Sequence, residues 1–198
     1  MMWRSFIEGG LVVNWVPWDS WHLRRMLGLS YIEFQSLEAN ASAEVHLARA
    51  KALNPNDPET CNAWGLLCRR QGKRDEGRQV FEQAVRLDPI VRQPRLNLAL
   101  AYEQDGMPDP ALAQYEALVH LDPRDAEAHL WRGMALVKLG RHAEAAKAFT
   151  AAERADRYTE SVWRFDLRGL LRRSDDLTDA LKAFRESEPG RAWLGGAK

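Results

Sequence analysis

Five histidines and two cysteines are the residues of this 198-residue sequence best equipped for metal binding or covalent chemistry. A metal site needs several such ligands at the short spacings that one helix face or one loop can converge. His22, His46, His120, His129 and His142 are scattered along the chain, and none forms a metal-ligand spacing with a neighbouring acid or cysteine. Cys61 and Cys68 fall on one predicted helix, about 10 Å apart along its axis at the usual rise. A disulfide needs its Cα atoms within about 7 Å, so these two are read as small buried thiols. The sequence holds no phosphate-cradling glycine loop and no nucleophile elbow, and Asp175-Asp176 reads as a helix cap on a solvated surface. The expectation is a chain with no catalytic residues, no metal and no cofactor.

Stepping through the chain locates the elements that carry everything else. Pro55, Pro89 and Pro123 recur at a constant interval of 34 residues, closing the phrases ALNP, RLDP and HLDP. At the same interval Gly65 maps to Ala99 and Gly133, Gly72 to Gly106 and Gly140, Gly77 to Ala111 and Ala145, Phe81 to Tyr115 and Phe149, and Ala84 to Leu118 and Ala152. Small residues suit places where two helices nearly touch, and the aromatic column fills the wedge behind them. The repeat unit is a helical hairpin.

The pattern resembles the tetratricopeptide repeat family, whose antiparallel helix pairs carry small, aromatic and terminal-proline columns. Trp64-Gly65, Gly77, Phe81, Ala84 and Pro89 form the closest copy. Upstream, Leu27-Gly28 and Tyr31 look like a first half, but Ala43, Leu47, Ala50 and Pro55 arrive three residues late, which predicts a first helix longer by almost a turn. Downstream, Trp163 opens a last unit in which Arg157 replaces the proline and Ala180 and Phe184 lag by one residue. The resemblance covers roughly residues 20 to 187 and implies an all-α solenoid of about five hairpins, preceded by an arm (1–19) and followed by a tail (188–198). Helices are predicted over 20–38, 41–53, 58–71, 75–87, 92–105, 109–121, 126–139, 142–155, 160–173 and 176–187. Asp57, Asp125, Thr159 and Asp175 are expected N-caps, and Gly72, Gly106 and Gly140 left-handed C-caps.

Such solenoids bind along the concave face lined by the first helix of each hairpin. In this register the inward positions are Asn62, Leu66 and Arg69; Leu96, Asn97 and Leu100; Leu130, Trp131, Met134 and Lys138; and Phe165 and Arg168. Trp131, Met134 and Phe165 are expected either to receive aliphatic side chains of a bound segment or, for the two aromatics, to pack between units, while Asn62 and Asn97 are expected to bond its backbone. The carboxylate clamp of chaperone-binding members is absent, since only Asn97 matches it and Asn62, Leu66, Glu127 and Trp131 stand where the basic partners belong. The resemblance therefore implies a non-catalytic interaction module, an adaptor or assembly factor holding a protein or peptide segment; the alternative is a structural subunit built into a larger complex. Bacterial pilus and secretion assemblies use proteins of this kind, by analogy of fold alone.

Charge and location narrow the partners. Lys plus Arg and Asp plus Glu number 28 each, so the molecule offers no field for nucleic acid. Cations gather at the ends of first helices (Arg69, Arg70, Lys73 and Arg74; Lys138 and Arg141; Arg172 and Arg173), where they either complement the helix dipoles or meet an acidic partner, with Arg164, Arg168 and Arg172 extending the row. Glu8 falls early and Asn14 interrupts the apolar run 11–16, which makes a poor signal peptide, and no stretch is long enough to span a bilayer, so cytoplasm is the expected location. Trp3, Trp15, Trp18 and Trp21 crowd the N-terminus beside Phe6. Such an arm either caps the first hairpin, docks into a partner or second copy, or makes peripheral contact with a membrane.

Overall fold

The computed structural model describes residues 20–33, 37–156, 171 and 178–195. All its regular elements there are helices: α1 (Trp21–Glu33), α2 (Leu37–Leu53), α3 (Pro58–Arg70), α4 (Arg74–Leu87), α5 (Arg92–Gln104), α6 (Pro108–Leu121), α7 (Ala126–Lys138), α8 (His142–Asp156), α9 (Asp179–Glu186) and α10 (Glu188–Gly195). From α1 to α8 each helix packs on the next, and the tightest pairs are the hairpins α1–α2, α3–α4, α5–α6 and α7–α8. The first helices α1, α3 and α5 also touch one another, which lays them side by side along one face.

Repeated residues set the helix ends. The Asp57 carboxylate accepts from the Thr60 backbone N–H at 2.8 Å and from the Thr60 hydroxyl, and Asp125 accepts from Ala128 N–H at 3.0 Å, so both cap their helices as expected. Gly72, Gly106 and Gly140 have φ of 77°, 71° and 72°. Around Gly72 the Gly72 N–H bonds the Arg69 carbonyl (3.1 Å) and Lys73 N–H the Cys68 carbonyl (2.9 Å), the paired bonds of a Schellman motif, and the same pairs recur around Gly106 and Gly140. The phrase LDP has its own mechanism. Asp88 and Asp122 precede proline, which pushes them to extended backbone (φ −143° and −138°), and their carboxylates accept from the N–H groups of Ile90 and Arg124 to close the turn.

Within each hairpin the small column meets the large one. A Cβ at Gly65 would lie 2.6 Å from the Phe81 ring, one at Gly133 2.3 Å from Phe149, and one at Gly28 2.5 Å from Leu47, so glycine is what allows these helices to close on their partners. Phe81, Tyr115 and Phe149 are fully buried behind them. The core is serial: Ala43, Leu47, Ala63 and Leu67 join α2 to α3, Phe81, Leu98 and Ala101 join α4 to α5, and a longer cluster runs from Leu96 to Trp193.

Two boundaries differ from expectation. The extra length of the first hairpin belongs to its second helix: α1 ends at Glu33, and α2 has 17 residues against 14 in α4. No glycine or proline falls between Tyr31 and residue 40 to break a helical pattern, so the sequence alone predicts α1 running on to residue 38. The segment read as a tail is also helical. Ser187 Oγ accepts from Gly190 N–H at 3.1 Å, Pro189 sits in the first turn, and Gly190 passes so close to Phe184 that a Cβ would fall 1.8 Å from its carbonyl oxygen. Trp193 is thereby buried against Phe149 and Phe184, ring centroids 5.3 and 6.1 Å away. The predicted helix at 160–173 and the caps Thr159 and Asp175 lie outside the described residues, save Leu171, which is helical and buried.

Candidate functional site

Polar side chains on the first helices and at their ends tie neighbouring repeats together at nearly the repeat interval. Arg25 reaches Glu59 at 3.4 Å, Asn97 Nδ2 donates to Asn62 Oδ1 at 2.7 Å, Arg92 grips Asp125 (2.7 Å) and Glu127, and Lys138 Nζ bonds Glu103 at 2.8 Å. Hydrogen bonding to Asp125 comes first among the causes that raise the Arg92 pKa above its usual value. Burial would raise the Asp125 pKa, but the Arg92 guanidinium and the Ala128 N–H outweigh it and hold the carboxyl below its usual range. The two amides expected to bond a bound backbone, Asn62 and Asn97, are therefore buried and joined to each other.

What the groove presents between these ties is apolar. Leu66, Leu100, Leu130 and Met134 are half-buried, each packed on the core from above, while Leu96 lies inside it. Trp131, half-buried, stacks on Tyr115 of the preceding hairpin (6.4 Å, 14°) and donates Nε1–H to Glu127 at 3.3 Å. Arg69 is half-buried at the end of α3, beside the Arg78–Asp105 bond of 2.8 Å. Phe165 and Arg168 lie outside the described residues, as do Trp3, Phe6, Trp15 and Trp18 of the arm. Trp21, at the start of α1, meets His22 edge-on at 5.6 Å and carries the Arg25 guanidinium over its face at 5.6 Å.

The basic edge is partly neutralised. Lys138 is held by Glu103, and Arg141 makes a two-pronged bond to Glu144 (2.7 Å for each prong). Cys61 and Cys68 are buried, and burial, with Glu76 nearby, pushes the Cys68 thiol up to about 11, so neither is a nucleophile at neutral pH. Among the described residues no group of three or more His, Cys, Asp and Glu is placed to hold a metal, and no helix is long and apolar enough to cross a membrane.

A second concavity was missed by the sequence reading. It is a recess of about 730 Å³ on the outer face of α8, bounded on one side by the α6–α7 turn and on the other by α10. The floor is an alanine face of α8 that includes Ala143, Ala146 and Ala151, closed at one end by Pro189 and Trp193, and the rim carries Arg124, Lys147 and Arg154. His129 lines one wall, its Nε2 bonding the Pro123 carbonyl at 3.0 Å and its Nδ1 buried without a partner. Alanines one helical turn apart along 143–155, with cations interleaved, were the available signal; the flanking turn and C-terminal helix come from distant segments.

Residues 62–109 and 96–159 match the family model described as tetratricopeptide repeat. The chain belongs to the tetratricopeptide repeat family. Solved structures agree on the fold. A crystal structure of MamA superposes with TM-score 0.62 at 20% identity, over 70% of this chain and 80% of that one. A crystal structure of the APC/C hetero-tetramer Cut9–Hcn1 superposes with TM-score 0.58 at 17% identity, over 72% of this chain and 28% of that one. Tetratricopeptide repeats are in general non-catalytic surfaces for protein–protein interaction or for scaffolding a complex, and the fold supports that role for this protein.

Proposed function

We propose that the protein is a non-catalytic adaptor or assembly factor that holds an extended or helical segment of a partner protein in its concave groove. The observation that carries this reading is the run of half-buried apolar side chains, Leu66, Leu100, Leu130 and Met134, set between first helices whose polar groups already bond one another. Burying the remaining exposed part of such side chains favours association at about 25 cal/mol per Å² of apolar surface, and a floor already held rigid by its neighbours loses little entropy on binding. Trp131, leaning on Tyr115 at the groove wall, supplies an aromatic anchor of the kind that dominates interface energetics.

The test is a pair of groove variants, Leu100→Glu with Met134→Glu, compared with the parent by affinity purification and mass spectrometry. Circular dichroism and melting temperature are expected to hold while the partners recovered by the parent are lost. Recovery of the same partners by a folded variant would move the interface off the groove. A second reading, a structural subunit fixed in a larger complex, draws on the four tryptophans within the first 21 residues. It expects the isolated chain to self-associate with concentration, which sedimentation would detect, and a monodisperse monomer would count against it.

A further inference from the structure

We propose that the recess on the outer face of α8 is a second docking site, separate from the groove, and that its occupant is an acidic peptide segment with interspersed apolar side chains, contributed by a partner protein. The recess, about 730 Å³ and open to solvent, has room for a few side chains of a segment laid across it. Its alanine floor supplies apolar surface but no side chain long enough to fill the space. Its charged lining has one sign: Arg124, Lys147 and Arg154 are exposed, none makes an ion pair with a described residue, and no described acid lines the cavity.

Four cations elsewhere in the solenoid are already neutralised. Arg78, Arg92, Lys138 and Arg141 are each held by a carboxylate of this chain. The three cations of the recess stand in a sequence with as many acids as bases and find no carboxylate among the described residues, which leaves an anionic occupant the complementary charge to bring. Shape selects among anionic partners. A bilayer surface, flat or convex at this scale, matches a concave recess less closely than a peptide segment laid into it. A single-stranded nucleic acid would need exposed aromatic faces for its bases, and the Trp193 indole of the lining is only 6% exposed. An extended peptide satisfies both halves of the site, with carboxylates at the rim and small apolar side chains on the alanines.

The experiment titrates a short fluorescein-labelled peptide alternating glutamate and leucine, and its glutamine-for-glutamate counterpart, with the full chain by fluorescence anisotropy. The parent is expected to bind the acidic peptide saturably and to bind the glutamine peptide about tenfold or more weakly. The pair Lys147→Glu and Arg154→Glu is expected to lose at least as much, the milder pair Lys147→Ala and Arg154→Ala somewhat less, and added salt is expected to weaken parent binding. Both pairs change exposed residues, and a melting curve checks the fold of each. Groove variants Leu100→Glu and Met134→Glu are expected to bind the peptide as the parent does. No saturable binding by the parent, equal affinity for the two peptides, or equal affinity of parent and charge-reversed chain overturns the proposal. Phosphatidylserine vesicles bound by the parent and released by the reversal, with no peptide preference, would assign the cations to a membrane and overturn it as well.

Discussion

Gly133→Ala adds one methyl group at the tightest point of the α7–α8 hairpin. The new Cβ would lie 2.3 Å from Phe149 Cε1 and 2.5 Å from Cδ1, whereas carbon atoms rest at about 3.5–4.0 Å. The ring must retreat by more than about 1 Å to restore that separation, yet Phe149 is 1% exposed and backed by Phe184 and Trp193 at 5.4 and 5.3 Å. Alanine gains about 1 kcal/mol over glycine in helix propensity, and overpacking of a filled core costs about 1–3 kcal/mol. A net loss of about 1–2 kcal/mol follows if the core yields little, a drop of about 2–8 °C in melting temperature for a chain of this size. The assay is thermal unfolding followed by circular dichroism. Gly195→Ala, where an added Cβ meets nothing within 4 Å, is the control and should be neutral or slightly stabilising. In the double variant with Phe149→Leu the penalty should shrink, giving a coupling of at least about 0.5 kcal/mol. A melting temperature for Gly133→Ala at or above the parent's, or strict additivity with Phe149→Leu, would refute the close approach as the reason for glycine.

Tyr115 occupies the aromatic column that holds phenylalanine at Phe81 and Phe149, its hydroxyl is buried without a partner, and burial raises its pKa. Tyr115→Phe is therefore expected to be neutral or to stabilise by about 1 kcal/mol, and a clear loss in chemical denaturation would mean the hydroxyl is bonded after all. Asp125 both caps α7 and receives Arg92, so Asp125→Ala should cost about 1 kcal/mol for the cap alone. Asp125→Asn isolates the charge. The folded carboxyl titrates below its ordinary 3.8, so its contribution is whole above that value and disappears as pH falls through the lower folded pKa. Urea midpoints of parent and Asp125→Asn should differ at neutral pH and converge as pH falls through the lowered folded pKa; a constant gap at every pH would sink the ion-pair argument.

The repeat was legible because several of its columns answer local restrictions that few residues meet, and its small and aromatic columns recur with the same contact, Gly65 on Phe81 and Gly133 on Phe149. Gly72, Gly106 and Gly140 stand at positive φ, which a side chain resists; Asp88 and Asp122 are pushed to extended backbone by the prolines that follow. Where a tertiary contact leaves no distinctive residue type, the sequence was silent. Asn62 and Asn97 carry the same letters whether they face a ligand or each other, and only the stacking of α3 on α5 decides that they form a buried pair. The sequence around 34–40 has no glycine or proline, so nothing local stopped the first helix. Helix α10 did have a local signature in Ser187-Glu188-Pro189, a cap followed by an acid and a proline in the first turn, but its brevity and position at the chain end made it read as a tail.

The two concavities differ in a way that follows from how their charges are paired. On the groove side, first helices of adjacent repeats meet at homologous positions, so a cation on one finds a carboxylate on the next about one interval along, as Arg92 finds Glu127 and Lys138 finds Glu103. The pairing holds the helices in register and leaves leucine and methionine as the unsatisfied surface. On the outer face of α8 the neighbours are the α6–α7 turn and α10, and no described acid of either lines the recess or pairs with Arg124, Lys147 or Arg154. An apolar groove holds its partner with little regard to salt, whereas charge-dependent binding at the recess weakens once the Debye length falls below the roughly 10 Å found at 0.1 M. If the groove and the recess each hold a segment as proposed, raising ionic strength should strip the recess before the groove, and equal salt dependence of the two would refute this contrast between their charges.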